Sequence, residues 1–214
     1  MPNIAMKALL VASIVVPVAA AQAQDANKPT TATVITKDDI AKISQSEQSL
    51  RTKDENAMVV NLGYENFALG IIHRGSTRNP PPRRQGARNM AGVTPCGRQM
   101  ASLPPGGTPG GLTHDFQTEG YYIVSGGGTM MIDGYIVNGR HSAMPAPGGP
   151  NGPTCGGMAY GTRKVDVTVG DVIVVPPGVV HGWADIPDHV DYLSFRPSQH
   201  VMQAGWVNPT IAKK

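Results

Sequence analysis

The chain has 214 residues, a formal net charge of +3 and only two cysteines. That length suits one sizeable domain or at most two small ones. The near-balance of 18 basic and 15 acidic side chains lacks the basic footprint of a nucleic-acid binder. No GxSxG elbow, P-loop or GxGxxG helix opening occurs.

Taken in chain order, "MPNIAMK" is a short polar start carrying Lys7, "ALLVASIVVPVAA" (8–20) is an apolar run, and "AQA" (21–23) is a small-x-small cleavage pattern. Residues 1–23 therefore read as a signal peptide. The apolar run is too short to span a bilayer comfortably and is correctly flanked for removal. The expected mature protein starts near Gln24, is periplasmic or secreted, and has no membrane contact after cleavage. An oxidising compartment favours a bond between Cys96 and Cys155, which lie too far apart in sequence for a CxxC metal or redox motif.

Residues 24–54 read as a polar leader and one short helix. "TKDDIAKISQSEQ" (36–48) has Thr36 as N-cap, Asp38 and Asp39 in its first turn, and a narrow stripe of Ile40 and Ile43. Residues 55–200 read as an all-β domain, and residues 201–214 as a C-terminal tail. Its expected strands include "NFALGIIHRG" (66–75), "GYYIVSG" (120–126) and "TMMIDGYIV" (129–137), the last split by the hairpin dipeptide Asp133-Gly134. "RKVDVTVGDVIVVPPG" (163–178) and "HVDYLSFRP" (189–197) follow. "SGGG" (125–128) reads as a turn. Two Pro/Gly-rich segments, 78–111 and 138–163, read as long loop inserts, each carrying one cysteine, so a Cys96–Cys155 bond staples them into one cap.

Charge is unevenly spread. Between Glu65 and Asp115 there is no acidic residue, whereas Arg74, Arg78, Arg83, Arg84, Arg88 and Arg98 all fall there. Such a stretch is either a field that attracts an anionic ligand or a solvated loop.

Two segments carry chemistry. In "GDVIVVPPGVVHGWAD" (170–185), Pro176-Pro177-Gly178 forces a tight turn and His181 starts the returning strand, which pre-positions it. In "GLTHDFQTEGYYIVSGGG" (111–128), His114 and Glu119 lie five apart and would face opposite sides of one continuous strand. A turn at "DFQT" (115–118) removes that objection, since His114 then ends one strand and Glu119 begins the next.

In these segments the sequence resembles the cupin superfamily over roughly residues 55–200. Gly170, Pro176, Gly178 and His181 match the spacing of its second motif, with Asp185 where the family usually has Asn. His114, Glu119 and Gly126 match the first motif, but Leu112 stands where its first histidine falls. The resemblance implies a double-stranded β-helix, a small antiparallel barrel, holding one divalent transition metal ion (Fe, Mn, Ni, Cu or Zn) through His114, Glu119 and His181. Gln117, Asp115 or the distant His73 is a candidate further ligand. Alternation outward from the ligands places Tyr121, Trp183 and Asp185 at the pocket. His141, His189 and His200 belong to no recognisable constellation.

The family includes dioxygenases, oxidases, isomerases, decarboxylases and plain binding proteins, commonly dimeric through their sheets, and fold alone does not choose among them. The expectation is a metal-dependent protein acting on a small organic molecule, anionic or neutral, by oxidoreductase or isomerase/lyase chemistry. The alternative is a non-catalytic cupin that binds a small ligand in its barrel. Protein expressed with its own leader is expected to yield, on N-terminal sequencing, a chain beginning near Gln24.

Overall fold

A computed structural model describes residues 29–45, 52–78, 94–142, 151–198 and 201–212. The signal-peptide reading, Arg83, Arg84, Arg88 and His200 lie outside these residues. Among the described residues a single helix, α1 (Lys37–Gln45), precedes eleven strands. Its start follows the expected cap: Asp39 N–H donates to Thr36 Oγ1 at 3.1 Å, while Asp39 Oδ2 accepts from Thr36 N–H at 3.1 Å.

The strands are β1 (Thr52–Asn61), β2 (Asn66–Gly75), β3 (Thr94–Cys96), β4 (Thr108–His114), β5 (Glu119–Ile132), β6 (Tyr135–His141), β7 (Thr154–Tyr160), β8 (Arg163–Thr168), β9 (Val172–Val175), β10 (His181–Asp185) and β11 (His189–Ser198). Every strand pairing is antiparallel. The all-β reading with one short helix is therefore correct. The hydrogen-bonded path β1-β2-β11-β5-β10-β4-β7-β6-β3 is open, with β8 and β9 attached to β5, so the barrel is not closed. β9 is only four residues long and runs into Pro176 and Pro177, which have no N–H with which to extend its ladder.

β5 joins the two halves of the sheet. Glu119 to Gly126 pair with β9 and β11, while Gly127 to Ile132 pair with β8 and Thr129 to Ile132 with β10. The run at 125–128 is thus strand and not the expected turn. Its glycines are needed because neighbouring backbones come close: a Cβ on Gly126 would lie 2.0 Å from His189 O, and one on Gly128 2.5 Å from Asp185 O. The expected hairpin at Asp133-Gly134 is present, with positive φ at both residues.

Parity sorts the core. Leu69 and Ile71 of β2 face outward and are covered by Ile43 of α1, while Ile72 faces inward among Tyr121, Ile123, Met130, Val190 and Tyr192. β1 was not expected as a strand, since Asp54, Glu55 and Asn56 disfavour it locally. Its ladder with β2 overrides that preference.

The two Pro/Gly segments also hold more order than their composition suggests, containing β3, β7, the start of β4 and the end of β6. Glycine makes this possible through close packing. A Cβ on Gly111 would lie 2.6 Å from Ala159 Cβ, and one on Gly157 2.9 Å from the Cα of Gly139. The Cys96–Cys155 bond is present and ties β3 to β7 beside β6, at Gly139. A Cβ on Gly139 would lie 2.9 Å from one sulfur and 3.0 Å from the other. Replacing both cysteines by serine is expected to lower the unfolding free energy by about 2–5 kcal/mol. Gly139→Ala, which crowds the same bond, should cost about 1–3 kcal/mol. Urea denaturation measures both.

Candidate metal centre

His114 is the last residue of β4 and Glu119 the first of β5, with the expected turn at 115–118 between them. The turn is pinned from three sides. Asp115 N–H donates to Pro153 O at 3.0 Å, Thr118 N–H to Pro197 O at 3.2 Å, and Gly178 N–H to His114 O at 2.8 Å. The third ligand candidate arrives as foreseen: Gly178 adopts φ +77°, Val179 N–H closes on Pro176 O at 3.2 Å, and His181 opens β10. All three residues are at most 3% exposed. One ligand atom from each lies within 4.8 Å of the others. His114 Nε2 stands 3.5 Å from Glu119 Oε1, and His181 Nε2 stands 3.3 Å from Glu119 Oε2.

The hydrogen bonds on the far sides of the rings settle what faces inward. Thr154 Oγ1 donates its proton to Gly152 O at 2.9 Å, so toward His114 Nδ1, 2.8 Å away, it acts as acceptor. His181 Nδ1 lies 3.0 Å from Val179 O, which can only accept. A neutral imidazole at either position therefore carries its proton on Nδ1 and turns an Nε2 lone pair toward the carboxylate. His181 Nε2 is buried and makes no hydrogen bond. Three electron-pair donors converging in a buried space fit a bound cation, so the donor set suits a divalent transition metal ion.

Glu119 is also held by the protein. Arg196 Nε lies 3.1 Å from Oε1, Gln117 Nε2 donates to the same oxygen at 3.4 Å, and the Tyr121 hydroxyl donates to Oε2. Burial pushes the carboxyl up, but the Arg196 charge holds it well below the ordinary range. Burial and then the Glu119 carboxylate push the Tyr121 phenol well above its ordinary value, so it stays a donor.

Arg196 is itself buried at 1% exposure. It donates to Asp54 Oδ1 at 2.6 Å, Asn56 Oδ1 at 3.0 Å and Ser194 Oγ at 3.0 Å. Arg74 completes the row, 2.9 Å from Asp54 Oδ2. Burial works against the Arg196 charge, but Asp54 and Glu119 outweigh it. Room for the guanidinium comes from Gly70, where a Cβ would sit 2.8 Å from Arg196 Cζ.

The remaining expected site residues divide. Gln117 lies beside the cluster and also donates to Asn151 Oδ1 at 2.9 Å. Tyr121 touches Glu119 directly, and Trp183 stands one ring further out, 6.0 Å from Tyr192. Asp185 is not at the site. A bulge between Trp183 and Asp185 breaks the alternation, and its carboxylate pairs with Arg78 at 2.7 Å on the surface. His73 is also elsewhere, because it shares the outward parity of Leu69 and Ile71. It bonds Asp191 at 2.6 Å and stacks on His189. Asp115 is engaged by His141 at 2.6 Å. Leu112 lies opposite His181 in the β4–β10 register, beside the ligand cluster.

The described arginines of the basic stretch do not form an open field: Arg74 and Arg78 are ion-paired, and Arg98 stacks over the Tyr135 ring at 3.5 Å. Sequence reasoning overlooked Arg196, Asp54 and Thr154. The signal for Arg196 was its register in β11, on the same buried face as Val190, Tyr192 and Ser194. Thr154 had no such signal, because its role depends on β4 pairing with β7.

No family model matches the chain, and no curated protein does. The fold and the site define an all-β protein with a buried two-histidine, one-carboxylate cluster able to hold a metal ion. Thr154→Val, which strands the His114 Nδ1–H, is expected to cost about 1–3 kcal/mol by urea denaturation. It should also weaken metal binding about 10–100-fold by equilibrium titration. Thr154→Ser keeps the hydroxyl and should restore both.

Proposed function

We propose that this chain is a cupin-type metalloprotein holding one divalent transition metal ion through His114, Glu119 and His181 and acting on a small organic anion. The observation that carries the reading is the pair of imidazoles locked with Nε2 lone pairs toward one carboxylate, with His181 Nε2 lacking any hydrogen bond. Such an ion supplies Lewis acidity or oxygen activation, the chemistry behind the oxidase, dioxygenase and isomerase/lyase classes. The protein's own residues orient the site: Thr154 and Val179 fix the rings, and Arg196 and Tyr121 fix the carboxylate. A periplasmic or secreted location is supported by the leader pattern and by the Cys96–Cys155 bond.

A second reading has its own observation. Both Glu119 oxygens already accept hydrogen bonds, from Gln117 and from Tyr121, and Oε1 also pairs with Arg196. That pattern favours a metal-free polar core in a protein that only binds its ligand. It does not exhaust the carboxylate, which offers about four lone-pair sites.

Metal analysis of the purified mature chain separates the two readings. The metalloprotein is expected to hold one ion per chain and to lose it in His181→Ala. Wild-type protein that stays metal-free after incubation with Fe, Mn, Ni, Cu or Zn would establish the second reading.

A further inference from the structure

We infer that the site takes up its metal ion together with an anion, and that Arg196 is the residue that imposes this requirement. The inference rests on the metal-binding reading above and narrows the ligand class to small carboxylates and comparable anions. It follows from the charges around the cluster.

Among the described residues, the buried acidic, basic and histidine side chains are His114, Glu119, His181 and Arg196. An imidazole that ligates an ion through Nε2 is neutral, so His114 and His181 add no charge to the occupied site. The guanidinium is permanently charged and cancels Glu119, 3.1 Å away. Behind it, Asp54 is cancelled by Arg74 at 2.9 Å. The nearest other carboxylate in the turn, Asp115, is 2.6 Å from His141 in a half-buried pair of its own.

With both imidazoles ligating, the side-chain charges around the ion therefore sum to zero. A divalent ion adds two positive charges that no described side chain offsets. Uncompensated charge in a buried, low-dielectric site is strongly unfavourable. An anion bound with the ion relieves it, whereas a neutral ligand of the same shape does not. By linkage, each tightens the binding of the other. Without Arg196, the Glu119 charge would count toward the ion and the anion would matter less.

The test is a Co2+ titration of the full mature chain at constant ionic strength. Sodium perchlorate serves as a non-coordinating background, with azide or acetate as the anion and acetamide as the neutral counterpart of acetate. Azide and acetate are expected to tighten Co2+ binding at least about fivefold and to change the Co2+ absorption spectrum, while acetamide does neither. Arg196→Met should bind Co2+ more tightly in perchlorate and show a smaller anion effect.

Arg98→Met removes an arginine outside the cluster, stacked over the Tyr135 ring, and should keep the wild-type anion effect. If Arg196→Met does not fold, the wild-type comparison decides alone. Co2+ binding that is equal in perchlorate, azide and acetate overturns the inference and leaves the metal reading standing. No Co2+ binding in any medium overturns both. An anion effect of wild-type size in folded Arg196→Met removes Arg196 from the account.

Discussion

The interaction on which the site depends is the ion pair between Arg196 and Glu119. Arg196 is the largest fully buried side chain among the described residues, and its charge would be untenable there without carboxylates on two sides. Holding it constrains distant parts of the chain. β1 must supply Asp54 and Asn56, β2 must carry Gly70 at the point of closest approach, and β11 must bring Ser194 into reach. Breaking one side of such a pair typically costs about 3–5 kcal/mol, whereas replacing the whole set by apolar residues is often neutral. The pair therefore adds geometric specificity more than stability. It fixes where the Glu119 carboxylate points and what charge the cluster presents.

A second constraint is the continuity of β5. Because one strand serves both halves of the sheet, Glu119 at its start and the Met130–Ile132 segment at its end are rigidly related. His181 pairs with Ile132, so the strand that carries the carboxylate also places the second imidazole. Glycines at 126–128 let the strand pass close to its neighbours while changing partners. The disulfide performs a comparable task on the other side, holding β3 and β7 together where composition alone suggests little order.

Much of this was legible along the chain. The strand at 66–75 begins and ends where its hydrophobic run does, and the turns at 115–118, Asp133-Gly134 and Pro176-Pro177-Gly178 fall where their residues require them. Those features are local: proline restricts φ, glycine permits positive φ, and β-branched runs form ladders. The failures were also physical. β1 carries three polar residues against strand propensity and exists because β2 pairs with it. Asp185 leaves the site because an extra residue in β10 shifts the register, which a strict alternation of two cannot foresee. His73 was misplaced because its strand is buried on both faces, so its apolar pattern does not say which face is inner.

The sequence by itself determined the fold class, the single helix, and the three side chains His114, Glu119 and His181, because each sits beside a turn whose chemistry is written in consecutive residues. It also placed both cysteines in segments able to meet. Only the tertiary structure decided the state of those groups. The Nδ1 partners of the imidazoles come from β7 and from the turn before β10, and the charge facing Glu119 comes from β11, 77 positions away in the chain. Ring tautomer and net charge depend on what lies within about 3 Å in space, and no local pattern encodes that distance.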